Sequence, residues 1–304
     1  MNIAVIGTGM VGRLIAVELS KKYQVYAIDN NANNLSKLDK YNNRIITKEM
    51  DIRNEPFLNS LEDAEIIINC VPGFMGFETS KKILEKKTCV DISFMPEDCN
   101  KLNKIAKKAE TALYPDAGVA PGLSNIIVGN LTTKQKIDKI KIMVGGLPIE
   151  KNPPWNYKAP FSPIDVIEEY TRPARIKRNG IIETVRPLTG LINFEFENVG
   201  KLEAFLTDGL RTLLTTELTK NTSTLLEYTI RYPGHSKKIS DLIENGKFDD
   251  TVKTINGKLT SQREITSKNL FKEWKLAEND KEFTLLVITA TTKEGDEISC
   301  IVYD

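Results

Sequence analysis

The chain has 304 residues, with 42 Lys or Arg and 41 Asp or Glu, which gives a formal net charge of +1 at pH 7. The length suits two domains of ~150 residues each, and the near-neutral charge argues against a broad nucleic-acid-binding surface. The four cysteines form no CxxC pair and there is a single histidine, so we expect no metal site. No apolar run approaches the ~20 residues of a membrane span, so we expect no membrane partner.

The first thirty residues carry the pattern of a dinucleotide-binding βαβ unit. Residues 2–6 form an apolar run that predicts a buried parallel strand, and the G-x-G-x-x-G motif Gly7-Thr8-Gly9-Met10-Val11-Gly12 follows it directly. Apolar residues at helical spacing follow between 11 and 19, and a second apolar strand at 25–28 ends at Asp29. An ordinary glycine loop is the alternative interpretation, but this order of strand, turn, helix, strand and acid favours dinucleotide binding.

Each part of this pattern has a physical role in holding a dinucleotide. Gly7 permits the tight turn, Gly9 lets the backbone approach a pyrophosphate, and Gly12 lets helix and strand pack closely. The helix N-terminus offers N–H groups and a partial positive charge to the phosphates. The Asp29 carboxylate would accept hydrogen bonds from ribose hydroxyls and repel a 2′-phosphate. Because Asn30 and an asparagine after it, not arginines, follow this acid, we expect NAD as the cofactor.

Strand and helix signals alternate through the rest of the first domain. Strands are predicted at 44–50, 65–71, 89–92 and 111–114, with helices at 56–61, 76–85 and 96–109. This alternation predicts an α/β fold, a Rossmann doubly wound parallel sheet, in which cofactors lie at the carboxyl ends of the strands. The predicted cofactor contacts are Gly7, Thr8, Gly9, Met10, Val11, Gly12, Asp29, Asn30, Asp51, Cys70, Val71, Pro72, Asp91 and Ser93.

The segment Asp116-Ala117-Gly118-Val119-Ala120-Pro121-Gly122 joins the two halves of the chain and precedes an apolar helix around 126–128. Two interpretations stay open. In one, Asp116 caps a helix that has Pro121 in its first turn. In the other, Asp116 lies at the mouth of the nicotinamide pocket.

The second half has more strands than helices. Strands are predicted at 137–144, 192–196 and 224–232, hairpins at 174–185 and 283–303, and helices at 164–170, 208–218, 237–244 and 263–277. The Asn179-Gly180 pair is a strong signal for the turn of the first hairpin. We expect an α+β domain with a mixed or antiparallel sheet. The predicted domains are 1–117, which binds NAD, and 118–304, which binds substrate and dimerises, with the chain end free to pack back on the first domain.

Partners and compartment follow from the same features. A first strand at residue 2 leaves no room for a signal peptide, and free cysteines fit a reducing compartment, so we expect a cytoplasmic protein. A large open sheet favours a homodimer.

Several polar side chains sit at predicted element ends, where chemistry is expected. The guanidinium groups of Arg172 and Arg211 suit bidentate capture of a carboxylate, with a surface ion pair as the alternative for each. His235 follows Pro-Gly and either enters a pocket or caps the next helix. Tyr157 either donates a hydrogen bond to substrate or packs its loop. The sequence has no Ser-His-Asp order and no cysteine in a basic setting, so hydrolytic chemistry is disfavoured.

The junction segment at 116–123 resembles that of the saccharopine dehydrogenase-like family. Four further stretches extend the resemblance, namely 145–148 with the loop 152–158, 167–173, 202–214 and 231–235. The ordered set spans residues 1 to about 245 and is most similar to the lysine 6-dehydrogenase branch.

This resemblance implies NAD-dependent oxidation of a small-molecule amine, with L-lysine deaminated at its 6-amino group to 2-aminoadipate 6-semialdehyde. The ammonium must first lose a proton, so a base is needed; the candidates are Asp116, Asp91 and His235, in that order. The candidate substrate contacts are Phe94, Gly118, Tyr157, Arg172, Arg211 and His235, with Arg172 or Arg211 on the α-carboxylate. The alternatives are a saccharopine or carboxynorspermidine-type dehydrogenase or reductase, and a non-catalytic dinucleotide-binding protein.

Overall fold

The structure is a computed structural model that describes residues 1–41, 44–54, 57–255, 257–277 and 279–304. The chain divides into two compact units, Met1–Gly118 and Val119–Asp304. Within the described ranges, none of the helices combines the length and the apolar character that a membrane span requires.

The first unit is built on a six-stranded sheet in which every pairing is parallel. Its strands are β1 Asn2–Ile6, β2 Gln24–Asp29, β3 Ile45–Glu49, β4 Ile66–Asn69, β5 Thr88–Asp91 and β6 Leu113–Tyr114. Its α-helices are α1 Met10–Ser20, α2 Ala32–Ser36, α3 Gly73–Leu84 and α4 Asn103–Ala109. In the strand order β3-β2-β1-β4-β5-β6, the chain adds β2 and β3 on one side of β1 and then adds β4, β5 and β6 on the other side. The predicted doubly wound sheet is therefore confirmed.

This sheet is buried on both faces, which explains its continuous apolar strands. Along β1, Ala4 and Ile6 belong to one core and Ile3 and Val5 to another, because successive side chains point to opposite faces. The helices on the two sides cover these cores.

Two predicted helices of the first unit differ from the structure. The helix expected at 96–109 is instead a loop, a short 3₁₀ helix Cys99–Leu102 and then α4. The Asp98 side chain accepts a hydrogen bond from the backbone N–H of Asn100 at 3.0 Å and caps the 3₁₀ helix, so the first helical turn begins after Asp98 and not at residue 96. Of the helix predicted at 56–61, Phe57–Leu61 forms a 3₁₀ helix and Pro56 lies outside the described residues.

The second unit contains an eight-stranded mixed sheet. Its strands are β7 Ile137–Pro148, β8 Ala174–Arg178, β9 Ile181–Val185, β10 Ile192–Phe196, β11 Gly200–Leu206, β12 Thr224–Arg231, β15 Glu282–Thr292 and β16 Glu297–Tyr303; β13 Lys253–Ile255 and β14 Lys258–Thr260 form a separate pair. The helices are α5 Leu123–Lys134, α6 Pro163–Thr171, α7 His235–Glu244 and α8 Gln262–Glu273. The order is β10-β11-β12-β7-β15-β16, with β8 on β12, and β12 runs parallel to β7 whereas the other pairs are antiparallel. The predicted α+β fold with a mixed sheet is confirmed.

The central strand β7 separates two apolar cores. Met143 and Leu147 pack with residues of α6 and α8 on one side, whereas Ile140 and Ile142 pack with α5 on the other. The two C-terminal strands, β15 and β16, continue this sheet beside β7.

The hairpin at Asn179-Gly180 is confirmed, with positive φ angles of 49° and 80° at these residues. The helix predicted at 208–218 is wrong: two short 3₁₀ helices, Arg211–Leu214 and Glu217–Thr219, replace it. Strand β11 was not predicted, and β7 continues past Val144 through Gly145 and Gly146.

Gly145 lies where β7 passes very close to β12. A Cβ placed there would be 2.6 Å from the carbonyl oxygen of Ile230, whereas one on Gly129 in α5 would lie at an ordinary contact distance of 3.5 Å from a Leu218 methyl group. We therefore expect Gly145→Ala to lower the free energy of unfolding by about 1–3 kcal/mol. Gly129→Ala should raise it by up to about 1 kcal/mol, because alanine is the better helix former.

Urea unfolding followed by circular dichroism measures both variants. Equal stability of Gly145→Ala and the native protein would contradict this packing.

Candidate functional site

The glycine loop has the geometry of a cradle for a dinucleotide. Gly7 has a φ of +87°, and a Cβ there would be 2.6 Å from the Cys70 carbonyl oxygen. A Cβ on Gly12 would be 1.9 Å from the carbonyl oxygen of Gly7, so α1 and β1 meet too closely for any side chain. At Gly9, the N-cap of α1, the part of the chain that the structure describes has no heavy atom within 4 Å of a Cβ position, apart from the two neighbouring residues. The backbone there is open to a pyrophosphate at a helix N-terminus.

The carboxylate of Asp29 is fixed against this loop. Its Oδ2 accepts hydrogen bonds from the backbone N–H and the hydroxyl of Thr8 at 2.7 and 3.2 Å, and from the Asn34 amide at 3.2 Å. Oδ1 accepts from the N–H of Asn31 at 2.9 Å. The acid that the sequence assigns to the ribose hydroxyls therefore lies at the end of β2 beside the glycine loop.

A basic residue that sequence reasoning missed lies at the end of the next strand. Arg53 donates to both carboxylate oxygens of Asp51, from Nε at 2.9 and 3.0 Å and from Nη2 at 2.5 Å. These hydrogen bonds lower the pKa of Asp51 to about 2. The Met50 N–H donates to the Asp29 carbonyl at 2.9 Å, which places this segment beside the end of β2. An acid-x-base spacing after a strand was the available signal.

The remaining predicted cofactor contacts lie around the ends of β4 and β5. Cys70, Val71 and Pro72 connect β4 to α3, and the Cys70 Cβ lies 3.0 Å from the Cβ position of Gly12. Burial raises the pKa of the Cys70 thiol, which fits a packing thiol. Ser93 and Phe94 follow β5, and Gly118 ends the unit.

Two candidate proton acceptors come together at the ends of β5 and β6. The Asp91 side chain is fully buried and accepts hydrogen bonds from Asn69, Ser80 and Ser93 at 2.7, 2.7 and 2.8 Å. Burial, followed by the nearby charge of Asp116, raises its pKa to about 6 against these three donors. The N–H of Ala117 donates to the Asp91 carbonyl at 2.9 Å, which holds the two segments side by side.

Asp116 itself is 6% exposed and has a positive φ of 54°. Helix α5 begins at Leu123 with Gly122 as its N-cap, so the interpretation of Asp116 as a helix cap with Pro121 in the first turn is wrong. The chain instead turns at Asp116, next to the Asp91 carboxylate.

In the second unit, the two candidate carboxylate-binding arginines lie close together. Arg172 ends α6 and Arg211 begins a 3₁₀ helix with a positive φ of 45°. The pKa of Arg172 is lowered by burial first and also by the charge of Arg211, against the opposing effect of Glu168. An anion beside both guanidinium groups would relieve this repulsion, so the pair can bind a carboxylate.

Next to this pair, Asp208 is only 3% exposed. Its carboxylate accepts hydrogen bonds from Nε and Nη2 of Arg175 at 2.8 and 2.7 Å and from the Arg175 backbone N–H at 3.0 Å. This bidentate pair fixes the segment that leads into Arg211.

Tyr157 and His235 come together in an enclosed group that we call the aromatic cluster. It consists of Trp155, Tyr157, Tyr170, His235 and Trp274, with ring centroids 5.2–6.0 Å apart. Arg231 lies under it, 4.3 Å from the Tyr157 ring centroid, and donates to Glu169 at 2.6 Å and to the Tyr170 hydroxyl at 2.9 Å. These contacts connect α6, β12 and the loop 152–158.

Hydrogen bonds fix the protonation of His235. Its Nδ1 is 3.2 Å from the Trp155 carbonyl oxygen, which can only accept, so Nδ1 carries the proton. Nε2 then accepts from the Tyr170 hydroxyl at 3.0 Å. Burial and then the charge of Arg231 lower the pKa of His235 to about 3. The ring is neutral at physiological pH, and both of its nitrogens contact protein atoms.

Family models cover nearly the whole chain. Residues 3–118 match the model of the saccharopine dehydrogenase NADP binding domain, and residues 118–303 match that of the saccharopine dehydrogenase C-terminal domain. The first unit is accordingly of a dinucleotide-binding type, and these matches agree with the resemblance seen in the sequence.

Individual proteins also match the chain, at low sequence identity. The chain is 23% identical over 266 residues to the mitochondrial alpha-aminoadipic semialdehyde synthase of Rattus norvegicus, covering 81% of this chain and 28% of that protein. It is 24% identical over 245 residues to alpha-aminoadipic semialdehyde synthase of Arabidopsis thaliana, covering 75% and 23%. The chain thus spans about a quarter of the length of the curated relatives it matches.

Among solved structures, apo saccharopine dehydrogenase (L-Glu forming) from Saccharomyces cerevisiae has a TM-score of 0.76 at 15% identity, covering 100% of this chain and 85% of that one. At this identity the likeness establishes the shared fold.

The buried neutral His235 makes stability depend on acid. Its folded pKa of about 3 lies below the ordinary 6.5, so its contribution is complete above pH 6.5 and is lost as the pH falls towards 3. Between pH 7.5 and 5 the native protein should lose about 2 kcal/mol more unfolding free energy than His235→Gln. Urea unfolding of both proteins at the two pH values measures this difference. An equal loss in both would contradict a neutral buried ring.

Proposed function

The chain belongs to the saccharopine dehydrogenase family, and from this premise we propose that it is an NAD-dependent dehydrogenase that deaminates L-lysine at the 6-amino group. The observation that carries the proposal is the Asp29 carboxylate, hydrogen-bonded to Thr8 of the glycine loop. It supplies the ribose acceptor that completes a dinucleotide site.

The charges around Asp29 favour NAD over NADP. A 2′-phosphate would bring negative charge to this carboxylate, whereas a ribose hydroxyl can donate to it. Arg53 is the basic side chain at the neighbouring strand end, and Asp51 engages its guanidinium bidentately. With that charge already paired, Arg53 gives a 2′-phosphate little attraction.

When bound, the nicotinamide ring supplies the two-electron acceptor. The side chains of the protein then have two tasks, which are to accept a proton from the substrate and to orient the substrate. An ammonium group must lose a proton before its carbon can be oxidised, and a carboxylate is a suitable acceptor. The resulting imine takes up water and releases ammonia and the aldehyde.

We assign the proton to Asp116. The neighbouring Asp91 has its carboxylate enclosed by three side-chain donors and fully buried, so its role is to position the Asp116 turn and to keep negative charge near a cationic amine. His235 is assigned to positioning as well, because both ring nitrogens are engaged within the aromatic cluster.

The α-carboxylate of the substrate is assigned to Arg172 and Arg211. Both are largely buried, and burial first, then the charge of Arg211, lowers the pKa of Arg172. Arg172 also pairs with Glu168 at 3.4 Å, and a substrate carboxylate would join this charged group. Binding of this kind discriminates against amines without an acid group.

A second candidate substrate is saccharopine. It is favoured by the similarity to a solved saccharopine dehydrogenase (L-Glu forming), and its secondary amine would undergo the same oxidation and hydrolysis at carbon.

A substrate panel tests the proposed function. Purified protein is mixed with NAD or NADP and L-lysine, saccharopine or a carboxyalkyl polyamine, and the absorbance of reduced cofactor is followed. We expect turnover with NAD and L-lysine. Turnover with saccharopine alone would select the second candidate, and cofactor binding without any turnover would select a non-catalytic protein.

Asp116→Asn tests the assigned base. We expect it to retain NAD binding but to lower kcat by about 100-fold or more, because an amide cannot accept the proton. Asp63→Asn, at an exposed position just before β4 and so at the other end of the strands, is the matched control and should keep its activity. Unchanged turnover in Asp116→Asn would remove Asp116 from the mechanism.

A further inference from the structure

One buried carboxyl group has no part in the proposed chemistry. Glu227 lies in the middle of β12 with 2% of its surface exposed. Its Oε2 accepts a hydrogen bond from the Thr207 hydroxyl at 2.6 Å and another from the backbone N–H of Gly209 at 3.1 Å. The Thr207 hydroxyl is also 2.9 Å from that of Thr229. The Glu227 side chain is thus bonded to the segment that follows β11.

The same segment is packed directly on Glu227. A Cβ on Gly209 would be 2.4 Å from the Glu227 Cδ, so the backbone there rests on the carboxyl group. Between the two Glu227 contacts, Asp208 is held by the fork of Arg175. After them, Leu210 is fully buried in the apolar core. Every residue from 207 to 210 is therefore anchored, and the next residue is Arg211.

The charge around Glu227 favours its neutral form. The charges that act on it most strongly are those of Glu169 of α6 and Asp208, which pair with Arg231 and Arg175, respectively. Thr207, Gly209 and the paired Ile142 of β7 carry no charge. Burial first, and these carboxylates in addition, raise the pKa of Glu227 to about 8 against the donors Thr207 and Gly209. At neutral pH the carboxyl group is protonated, and ionisation would place a third negative charge among them.

We propose that neutral Glu227 is a positioning residue, which holds the segment 207–210 so that Arg211 meets the substrate carboxylate. This inference rests on the proposed function for the role of Arg211. Since Arg211 begins its helix with a positive φ, the direction of its side chain depends on the segment before it. Although the Thr207 and Gly209 hydrogen bonds favour an ionised Glu227, a buried negative charge there is poorly solvated and repels Asp208 within the segment. Ionisation therefore loosens that segment and weakens binding of the carboxylate.

The test uses Glu227→Gln, which keeps the size and an acceptor but cannot ionise, and Glu227→Ala, which removes both contacts. Hydrogen–deuterium exchange of the segment 207–214 is measured in the native protein and Glu227→Gln between pH 6.5 and 9.5, corrected for intrinsic exchange. Because the exposed carboxyl group ionises at lower pH than the buried one, we expect the native segment to lose at least tenfold protection as the pH rises from 6.5 to 8 and to change little above pH 8. Glu227→Gln should keep its protection throughout. Equal protection in both proteins across this range would overturn the proposal.

Kinetics supply the second readout. The native KM for the amino acid should rise about tenfold for each pH unit above 8 with little change in kcat, and Glu227→Gln should remove that rise, which separates it from titration of the substrate. Glu227→Ala should have a raised KM at every pH. If no amine is oxidised, the proposed function fails, and the exchange measurement by itself supports or overturns the positioning of the segment.

Discussion

The hydrogen bonds between Thr8 and Asp29 are the constraint on which the first unit depends. They join the glycine loop after β1 to the end of β2, so the loop that we propose for a pyrophosphate and the acid that we propose for a ribose are fixed relative to each other. Gly7 and Gly12 make this possible, because side chains at either position would collide with the backbone of Cys70 or of the loop. A sheet buried on both faces holds the two strands rigid underneath.

The second unit contains several buried charged side chains, and each needs a partner in place of water. Arg231 is fully buried, and its charge is balanced by Glu169 and spread over the faces of two tyrosines. Asp208 is balanced by Arg175 in the same way. Removing one partner from such a pair leaves an uncompensated charge, which costs far more than the pair contributes. Arg172, which pairs with Glu168, also feels the like charge of Arg211, and these are the two side chains that we propose for an anionic substrate group.

The sequence predicts the first unit well because its signals are local. Apolar runs, glycine spacing and the acid at Asp29 each lie within a few residues of the element they define. The second unit is predicted less well where distant residues decide the structure. Thr207 and Gly209 are held by hydrogen bonds to Glu227, which lies about twenty residues later in the chain. These contacts fix the start of the segment 208–218, for which the sequence predicts a helix.

The candidate site shows the same division. The positions of Asp91 and Asp116 at strand ends follow from the strand pattern, but the donors around Asp91 come from Asn69 and Ser80 on other elements. The neutral state of His235 depends on Trp155 and Tyr170, which are far from it in the chain. Burial and partners of this kind decide pKa values, and no local pattern contains them.

Isothermal calorimetry with NAD on the native protein and on Gly9→Ala is the most direct test of the central claim that a dinucleotide binds across the glycine loop. Among the described residues, none beyond the two chain neighbours of Gly9 has an atom within 4 Å of the added Cβ, so the variant should fold with an unchanged Tm in the absence of cofactor. We predict heat of binding for the native protein and at least tenfold weaker affinity for Gly9→Ala, a loss of about 1.4 kcal/mol or more. Absence of heat with both NAD and NADP, or equal affinity in the two proteins, would contradict the claim.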